Sequence, residues 1–323
     1  MALSELAERL RAGDRRALAQ AITLAESTLA PQRQRAEALL AELWSMTGGS
    51  HRVALTGPPG AGKSSLVDAL GARALDAGTR VAVLAIDPAS PETGGSLLGD
   101  AVRMQRLAAS EQVFLRGSSN AGTLGGMAPA TRDAVLLCEA AGFGLVLIET
   151  VGVGQAERAA RDACDTLVVL ALTGAGDEVQ GLKRGLLEVA DAVLVNKADG
   201  AGQAPAEIFA GELRAALGLL RPRGAPHVAA ISAVSQLGVP ELWSWLEQRH
   251  GSMRVSGELE QRRQRQLTAA FRAALSRELL SRVESEAASS QLLPELQAAV
   301  EAGRLQPSSA ARALAERLFG DGR

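Results

Sequence analysis

Short apolar runs alternate with amphipathic segments along the middle of the chain, between His51 and about His250. Apolar runs bounded by turn-forming residues are typical of strands that are buried on both faces of a sheet. Because the intervening segments have helical periodicity, the pattern predicts an α/β fold with a doubly wound, mainly parallel sheet. The seven runs predicted to be strands are RVALTG, VAVLAID, VFLRG, LVLIET, TLVVLAL, AVLVNKAD and HVAAISA.

Helix-forming residues dominate both flanks of this region. Residues 4–47 predict two or three short amphipathic helices, with Pro31 at the start of one of them. After His250 the pattern predicts a long helix from Ser256 to about Ser285 and two further helices that are punctuated by Pro294 and Pro307. We therefore predict three parts: an N-terminal helical segment over 1–47, an α/β domain over 48–250 and a C-terminal helical arm over 251–323.

The long C-terminal helix carries an apolar stripe. Leu267, Phe271, Ala274 and Leu275 recur at the spacing that places side chains on one helical face. This face either packs on its own domain or pairs with a second copy of the chain.

Composition excludes several classes of partner. The 34 basic and 36 acidic residues give a net charge of −2, so no overall field attracts nucleic acid or an anionic membrane. No apolar run reaches the length of about 20 residues that a membrane span needs, and the N-terminus lacks the pattern of a signal peptide. The two cysteines, Cys138 and Cys164, lie in apolar stretches and predict reduced, buried thiols. We expect a soluble, cytoplasmic protein.

A phosphate-binding loop is the strongest motif in the chain. The sequence GPPGAGKS fits the pattern G-x-x-x-x-G-K-[ST] and lies between a predicted strand and a predicted helix. Glycines let backbone N–H groups surround a phosphate, the lysine reaches the β- and γ-phosphates, and the serine coordinates Mg²⁺. The predicted nucleotide-binding residues in this loop are Gly57, Pro58, Pro59, Gly60, Ala61, Gly62, Lys63, Ser64 and Ser65.

A second motif selects the base. Asn196, Lys197 and Asp199 form N-K-x-D at the end of the strand run AVLVNKAD, where α/β sheets bind their ligands. A carboxylate accepts two hydrogen bonds from the N1 hydrogen and the 2-amino group of guanine, whereas adenine has no such pair of donors. Ser232 and Ala233 end the next strand run, HVAAISA, and offer a backbone amide to the guanine O6. The predicted ligand is therefore GTP or GDP.

Acidic residues at strand ends are candidate metal ligands. Asp87 ends VAVLAID, and Glu149 ends LVLIET. Carboxylates in such positions hold Mg²⁺ directly or through water, so the predicted metal site contains Ser64, Asp87 and Glu149. Asp100 is a further candidate ligand or, equally, the N-cap of a helix.

A glycine three residues beyond Glu149 completes the predicted catalytic group of Lys63, Glu149 and Gly152. Its N–H would contact the γ-phosphate and release it after hydrolysis, which is how a nucleotide switch works. Val153 stands where many fast GTPases have a glutamine that orients the attacking water. We therefore expect slow hydrolysis that a partner accelerates.

The chain resembles the MeaB/ArgK type of P-loop GTPase, the G-protein chaperones of adenosylcobalamin-dependent acyl-CoA mutases such as methylmalonyl-CoA mutase. The resemblance extends from about Gly48 to Trp245, and its most specific segments are IDPxS…TGGSxLGD and ETVGVGQ. It is also carried by RGSSNAGTLGGMAPATRDA, by LTGAGDEVQGLKRGLLEVADAVLVNKADG and by ISAVSQLGVPELW.

The resemblance implies a homodimer with N-terminal helices, a central G domain and a C-terminal dimerisation arm. It implies that Asp87, Asp100 and Glu149 lie around Mg²⁺ and the switches, and that residues 174–185 form a loop that communicates with the mutase. The activity that it implies is GTP hydrolysis coupled to cofactor loading and to protection of the mutase. No cobalamin motif is visible, so cobalamin is assigned to the partner.

Two other functions are weighed against this one. A metal-delivery GTPase would need clustered soft or imidazole ligands, whereas His51, His227 and His250 are scattered along the sequence. A kinase that phosphorylates a transport protein would use ATP and would have no use for Asn196 and Asp199.

Overall fold

The computed structural model of the chain describes residues 2–87, 104–119, 129–150, 161–173, 184–222, 224–289 and 292–320. Within these residues, seven strands form one sheet in the order β3-β2-β4-β1-β5-β6-β7, and all of their pairings are parallel. This confirms the predicted α/β fold. The strands are β1 (His51–Thr56), β2 (Val81–Asp87), β3 (Val113–Ser119), β4 (Leu145–Thr150), β5 (Thr166–Ala171), β6 (Ala192–Val195) and β7 (His227–Ala230).

The chain changes direction across the sheet at β1. Strands β2 to β4 lie on one side of β1, and β5 to β7 follow on the other side. In open α/β sheets a ligand binds beyond the carboxyl ends of the strands at such a switch point. The topology therefore predicts a ligand-binding site at the loop that follows Thr56.

Helices cover both faces of the sheet. Alternate residues of each strand contribute to two separate apolar clusters; in β1, for example, Ala54 belongs to one cluster while Val53 and Leu55 belong to the other. The described α-helices between residues 2 and 256 are α1 (Leu3–Arg11), α2 (Arg15–Glu26), α3 (Ala30–Leu43), α4 (Lys63–Asp76), α5 (Gln105–Ala108), α6 (Pro129–Ala140), α7 (Arg184–Val189), α8 (Gln203–Leu220) and α9 (Val239–Ser256).

The N-terminal helices pack in the same apolar cluster as α6 and the face of the sheet that contains Ala54. Asp14 caps α2, because its side chain accepts hydrogen bonds from the backbone N–H groups of Arg16 and Ala17. Arg15 donates to the carbonyl oxygen of Val113 at 2.9 Å, and Arg80 donates to that of Gly13 at 3.1 Å. These contacts join residues 2–47 to the sheet, and Met1–Glu260 forms one compact unit.

The second compact unit is Gln261–Arg323. Its described part contains most of α10 (Glu258–Ser289), followed by α11 (Leu292–Glu301) and α12 (Pro307–Phe319). Leu267, Phe271, Ala274 and Leu275, the stripe predicted from the sequence, are all exposed, and Phe271 retains 65% of its accessible surface. Among the described helices of the protein, none is long and apolar enough to cross a membrane.

Candidate nucleotide-binding site

The phosphate-binding loop, residues 57–65, connects β1 to the first turn of α4. Gly57 has a φ of 152°, and a Cβ atom there would lie only 2.6 Å from the carbonyl oxygen of Leu170 in β5. Gly62 has a φ of 85° and precedes the helix as its N-cap. A side chain at either position would therefore be strained and would collide with neighbouring atoms. The local sequence adopts this loop because glycine occupies both positions.

Lys63 turns its side chain back into the loop. Its Nζ donates hydrogen bonds to the carbonyl oxygens of Gly57 at 2.9 Å and Pro58 at 3.0 Å. Burial lowers the pKa of the Lys63 ammonium, and the charge of Glu149 partly offsets this effect. A cation held among the glycines of the loop is placed to interact with phosphate oxygens.

Ser64 and Glu149 meet beside the loop. The Ser64 hydroxyl donates to Oε1 of Glu149 at 2.7 Å, and both residues are buried. Glu149 is next to last in β4 and is paired in register with Leu55 of β1, which brings it close to the loop that follows β1. A hydroxyl and a carboxylate are the kind of oxygen donors that Mg²⁺ binds.

Asn196 joins the guanine motif to the phosphate-binding loop. Its Nδ2 donates to the carbonyl oxygen of Ala61 at 2.7 Å, and its Oδ1 accepts from the N–H of Ala233 at 3.4 Å. A Cβ atom on Gly62 would clash with Nδ2 of Asn196, so the glycine also permits this close approach. Residues that are more than 130 positions apart in sequence thus form one continuous site.

Asp199 is positioned by a serine from the next loop. The Ser232 hydroxyl donates to Oδ1 of Asp199 at 2.8 Å, while the Asp199 side chain remains exposed. The backbone N–H of Ser232 donates to the carbonyl oxygen of Leu237, and the N–H of Ala198 donates to that of Ile231. Both loops are therefore held by backbone hydrogen bonds, which orient the carboxylate. Lys197 lies between Asn196 and Asp199 with a φ of 64° and an exposed side chain.

Some predicted site residues lie outside the described part of the chain. Gly152 and Asp100 belong to the undescribed ranges 151–160 and 88–103, and the loop prediction for 174–185 falls mostly in the undescribed range 174–183. Asp87 is the last residue of β2, but its side chain is not among those described. For these residues the assigned roles stay predictions.

Two contacts in the site go beyond the sequence analysis. Ser232 was predicted to act through a backbone amide, yet its hydroxyl contacts Asp199. The bond from Asn196 to the loop was not predicted either. The signals in the sequence are a serine two residues after β7 and an asparagine directly after β6, but only the fold brings their partners close.

The histidines are less scattered in space than in sequence. The rings of His51 and His250 stack with centroids 4.3 Å apart, and His227 stacks on Trp245 at 4.9 Å. Within the described residues, no three side chains of His, Cys, Asp or Glu are grouped closely enough to hold a metal ion.

This topology and this loop define a P-loop nucleotide-binding protein, and the comparisons with known proteins give its family. Residues 18–288 match the family model described as methylmalonyl Co-A mutase-associated GTPase MeaB, and the chain belongs to this family. It is a GTPase that binds GTP and GDP, as expected from the resemblance seen in the sequence.

Relatives match over nearly the whole chain. A probable GTPase of Mycobacterium tuberculosis is 46% identical over 314 residues, which cover 96% of this chain and 94% of that protein. The mouse protein named methylmalonic aciduria type A homolog, mitochondrial, is 39% identical over 93% of this chain and 75% of its own length. The crystal structure of a LAO/AO transport system kinase superposes with a TM-score of 0.76 at 32% identity, covering 98% of this chain and 97% of the other.

Proposed function

We propose that the protein is a GTP-hydrolysing chaperone of an adenosylcobalamin-dependent acyl-CoA mutase, with methylmalonyl-CoA mutase as the first candidate. The mutase assignment is supported by the description of the family and by the name of the mouse relative. In this proposal the GTPase assists cofactor loading and protects the mutase from inactivation, while cobalamin is bound by the mutase.

The nucleotide part of the proposal depends most on one observation, the hydrogen bond from Asn196 to the carbonyl of Ala61. Because this bond joins the two motifs, phosphates at the loop and a guanine at Asp199 belong to the same molecule. Lys63 would neutralise the β- and γ-phosphates, and the Asp199 carboxylate would accept the two hydrogen bonds that guanine donates.

The site residues also suit Mg²⁺. Ser64 and Glu149 would hold the ion, together with Asp87 and Asp100 if these reach it as predicted from the sequence. A bound Mg²⁺ would neutralise charge on the β- and γ-phosphate oxygens.

In the proposed reaction, water attacks the γ-phosphorus and the bond from that phosphorus to the β–γ bridging oxygen breaks, which releases GDP and phosphate. Lys63 stabilises the negative charge that develops on the oxygens, and the N–H of Gly152 would contact the γ-phosphate until it leaves. Since Val153 cannot orient the water, we propose that the free protein hydrolyses GTP slowly.

Titration with the mutase tests this function. We expect GTP turnover under saturating Mg²⁺ and GTP to rise about tenfold or more when methylmalonyl-CoA mutase from the same source is added, because a partner completes the site. A mutase from an unrelated cobalamin enzyme class is the matched control. Unchanged turnover with every acyl-CoA mutase of the source would contradict the chaperone role.

The same preparations separate the two alternatives. A metal-delivery GTPase would bind Ni²⁺ or Zn²⁺ tightly and stoichiometrically in the absence of nucleotide. A protein kinase would transfer labelled phosphate from ATP to an acceptor protein, and Lys63→Ala would abolish the transfer.

We also propose that the chain is a homodimer formed through α10. Leu267, Phe271 and Leu275 are exposed along one face, and Leu279 extends this face by one more turn. Such a continuous exposed apolar face is unfavourable in water and would be covered by the same face of a second copy.

Phe271→Ala should weaken the dimer about 10²-fold. Burying a phenylalanine contributes about 1.5–3 kcal/mol, and a two-fold interface contains the residue twice. Sedimentation equilibrium gives the dissociation constant, with Ser276→Ala on another face of the same helix as the control. A wild-type protein that is monomeric at tens of micromolar concentration, about the level at which weak dimers still form, would refute the proposal.

A further inference from the structure

The carboxylate of Asp191 pairs with two arginines. It lies at the amino ends of the strands, opposite the carboxyl ends that carry the nucleotide site. The residue directly precedes β6, and its side chain is only 5% exposed. Nη1 of Arg161 donates to its Oδ2, and Nη2 of Arg249 donates to its Oδ1 at 2.6 Å. The backbone N–H of Leu167 also donates to Oδ2, at 2.9 Å. Both oxygens of one buried carboxylate are therefore shared between two cations.

The two arginines belong to parts of the protein with different roles. Arg161 is the first described residue after the range 151–160 and lies nine positions beyond Gly152, the predicted contact of the γ-phosphate. Arg249 lies in the last part of α9, and its Nη2 is 3.9 Å from Oε1 of Glu258, the first residue of α10. One carboxylate thus lies between a residue that follows the predicted γ-phosphate contact in the chain and the start of the C-terminal helices.

The described residues on either side of the range 151–160 lie at opposite edges of the sheet. Thr150 ends β4 at the carboxyl edge of the sheet, whereas Arg161 is held by Asp191 at the amino edge. Burial acts to lower the pKa of the Arg161 guanidinium, but the charges of Asp191 and Cys164 and their hydrogen bonds to Arg161 together outweigh it, so that the pKa is raised overall. Arg161 is therefore held at this position as a cation, and Cys164 is a further polar group beside it.

A carboxylate that pairs with two cations responds to the loss of either one. If Arg161 moves away, Asp191 interacts more strongly with Arg249, because the attraction between buried charges is only weakly screened. Arg249 also lies over the ring of Trp245, with 5.8 Å between its Cζ and the ring centroid. A change in the pairing of Arg249 with Asp191 should therefore alter the environment of the Trp245 ring.

Building on the GTPase function proposed above, we propose that Asp191 couples the nucleotide state to α9. The pairing of Arg161 with Asp191 differs between the GTP-bound and the GDP-bound protein, and Arg249 and Trp245 respond to that difference. Asp191 is a positioning residue in this scheme: it contacts no nucleotide but transmits the state of the site towards the first turn of α10.

Fluorine NMR of the full chain labelled with 5-fluorotryptophan tests the coupling. The three tryptophans, Trp44, Trp243 and Trp245, give three signals, and Trp245→Phe assigns the signal of Trp245. We expect the Trp245 signal to shift between the Mg²⁺·GDP form and the form with a non-hydrolysable GTP analogue. This shift should fall at least twofold in Arg161→Gln and in Asp191→Asn. Arg221→Gln is the matched control, since Arg221 donates to the carbonyl of Ala190 next to Asp191.

Linkage gives a second readout that a purely structural role would not change. If nucleotide state alters the Arg161 pair, then removing the pair must alter the ratio of the affinities for the GTP analogue and GDP, by about fivefold. Arg221→Gln should leave that ratio unchanged. If Asp191→Asn does not fold, Arg161→Gln decides alone, because the Arg161 side chain is partly exposed.

The results that would overturn the coupling differ from those that would overturn the GTPase function. A Trp245 signal that is identical in both nucleotide forms of the wild type, or a shift that Arg161→Gln leaves unchanged, overturns the coupling while GTP binding stays intact. A protein that does not bind GTP in the accompanying titration would instead overturn the proposed function.

Discussion

Lys63→Ala should weaken GTP binding about 10³-fold. A hydrogen bond to a charged group contributes about 1.5–3 kcal/mol, and Lys63 is expected to contact two phosphate groups, which gives about 4 kcal/mol in total. In the structure the ammonium is already held in the loop by the carbonyls of Gly57 and Pro58, so little rearrangement is needed for these contacts to form. Isothermal titration with GTP and GDP in the presence of Mg²⁺ measures the loss.

The Lys63 variant should keep its fold. Because burial already disfavours the charged form of Lys63, its removal takes a desolvated cation out of the nucleotide-free protein. We expect the unfolding midpoint without nucleotide to stay near that of the wild type, while the stabilisation by saturating GTP, about 2.7 kcal/mol at 100 times the dissociation constant, disappears. Arg73→Ala removes a positive charge from the same helix and should bind GTP normally. Undiminished GTP affinity in Lys63→Ala would mean that the loop does not hold the phosphates.

The sheet could be predicted because its strands are buried on both faces. Runs such as LVLIET and TLVVLAL have at least four consecutive apolar residues, and every residue of β4 and β5 is buried, which distinguishes these strands from the amphipathic helices around them. The order of the strands is a different matter. It depends on which edges pair, and β1 pairs with β4 and β5 through contacts that are about a hundred residues apart. No local pattern contains that information.

The site was predictable to the extent that its chemistry is local. The loop from Gly57 to Ser65 needs its glycines and its lysine at fixed spacing within a few residues, so the sequence alone identifies it. The contact of Asn196 with Ala61 and that of Ser232 with Asp199 join separate loops, and the folded sheet is needed to bring them together. The same reason applies to Asp191, which in the sequence is only an acidic residue before an apolar run.

The pairing of Asp191 with two arginines also bears on how a chaperone of this kind could work. A G domain that changes only at the phosphates cannot signal to a distant partner, because the change must reach a surface that the partner touches. Here the described contacts lead from Arg161 through Asp191 to Arg249 and Glu258. We therefore expect a change of nucleotide state to affect the first turn of α10.

Asp199→Asn should reverse the base preference of the protein. The carboxylate of Asp199 presents two acceptors, which match the N1 hydrogen and the 2-amino group of guanine. An amide replaces one acceptor with an NH₂ group, which then faces the 2-amino group of guanine and leaves two donors unpaired. We expect GTP affinity to fall about 10³-fold, in line with the strong rejection of ligands that leave polar groups unsatisfied. Xanthine has an oxygen at position 2, so the amide can donate to it while accepting from N1–H, and XTP should bind instead.

The Ser232→Ala variant shows whether this reversal is caused by the changed pattern of hydrogen-bond donors or by a loss of order in the site. The Ser232 hydroxyl donates to Oδ1 of Asp199 at 2.8 Å, and a hydroxyl can equally accept from an amide, so the orienting contact survives in Asp199→Asn. Ser232→Ala removes that contact but keeps both carboxylate acceptors. It should therefore weaken GTP only about tenfold, the cost of one hydrogen bond, without improving XTP. Competition titrations with GTP, XTP and ATP distinguish the two variants, and a preference for GTP over XTP in Asp199→Asn would show that Asp199 does not read the base.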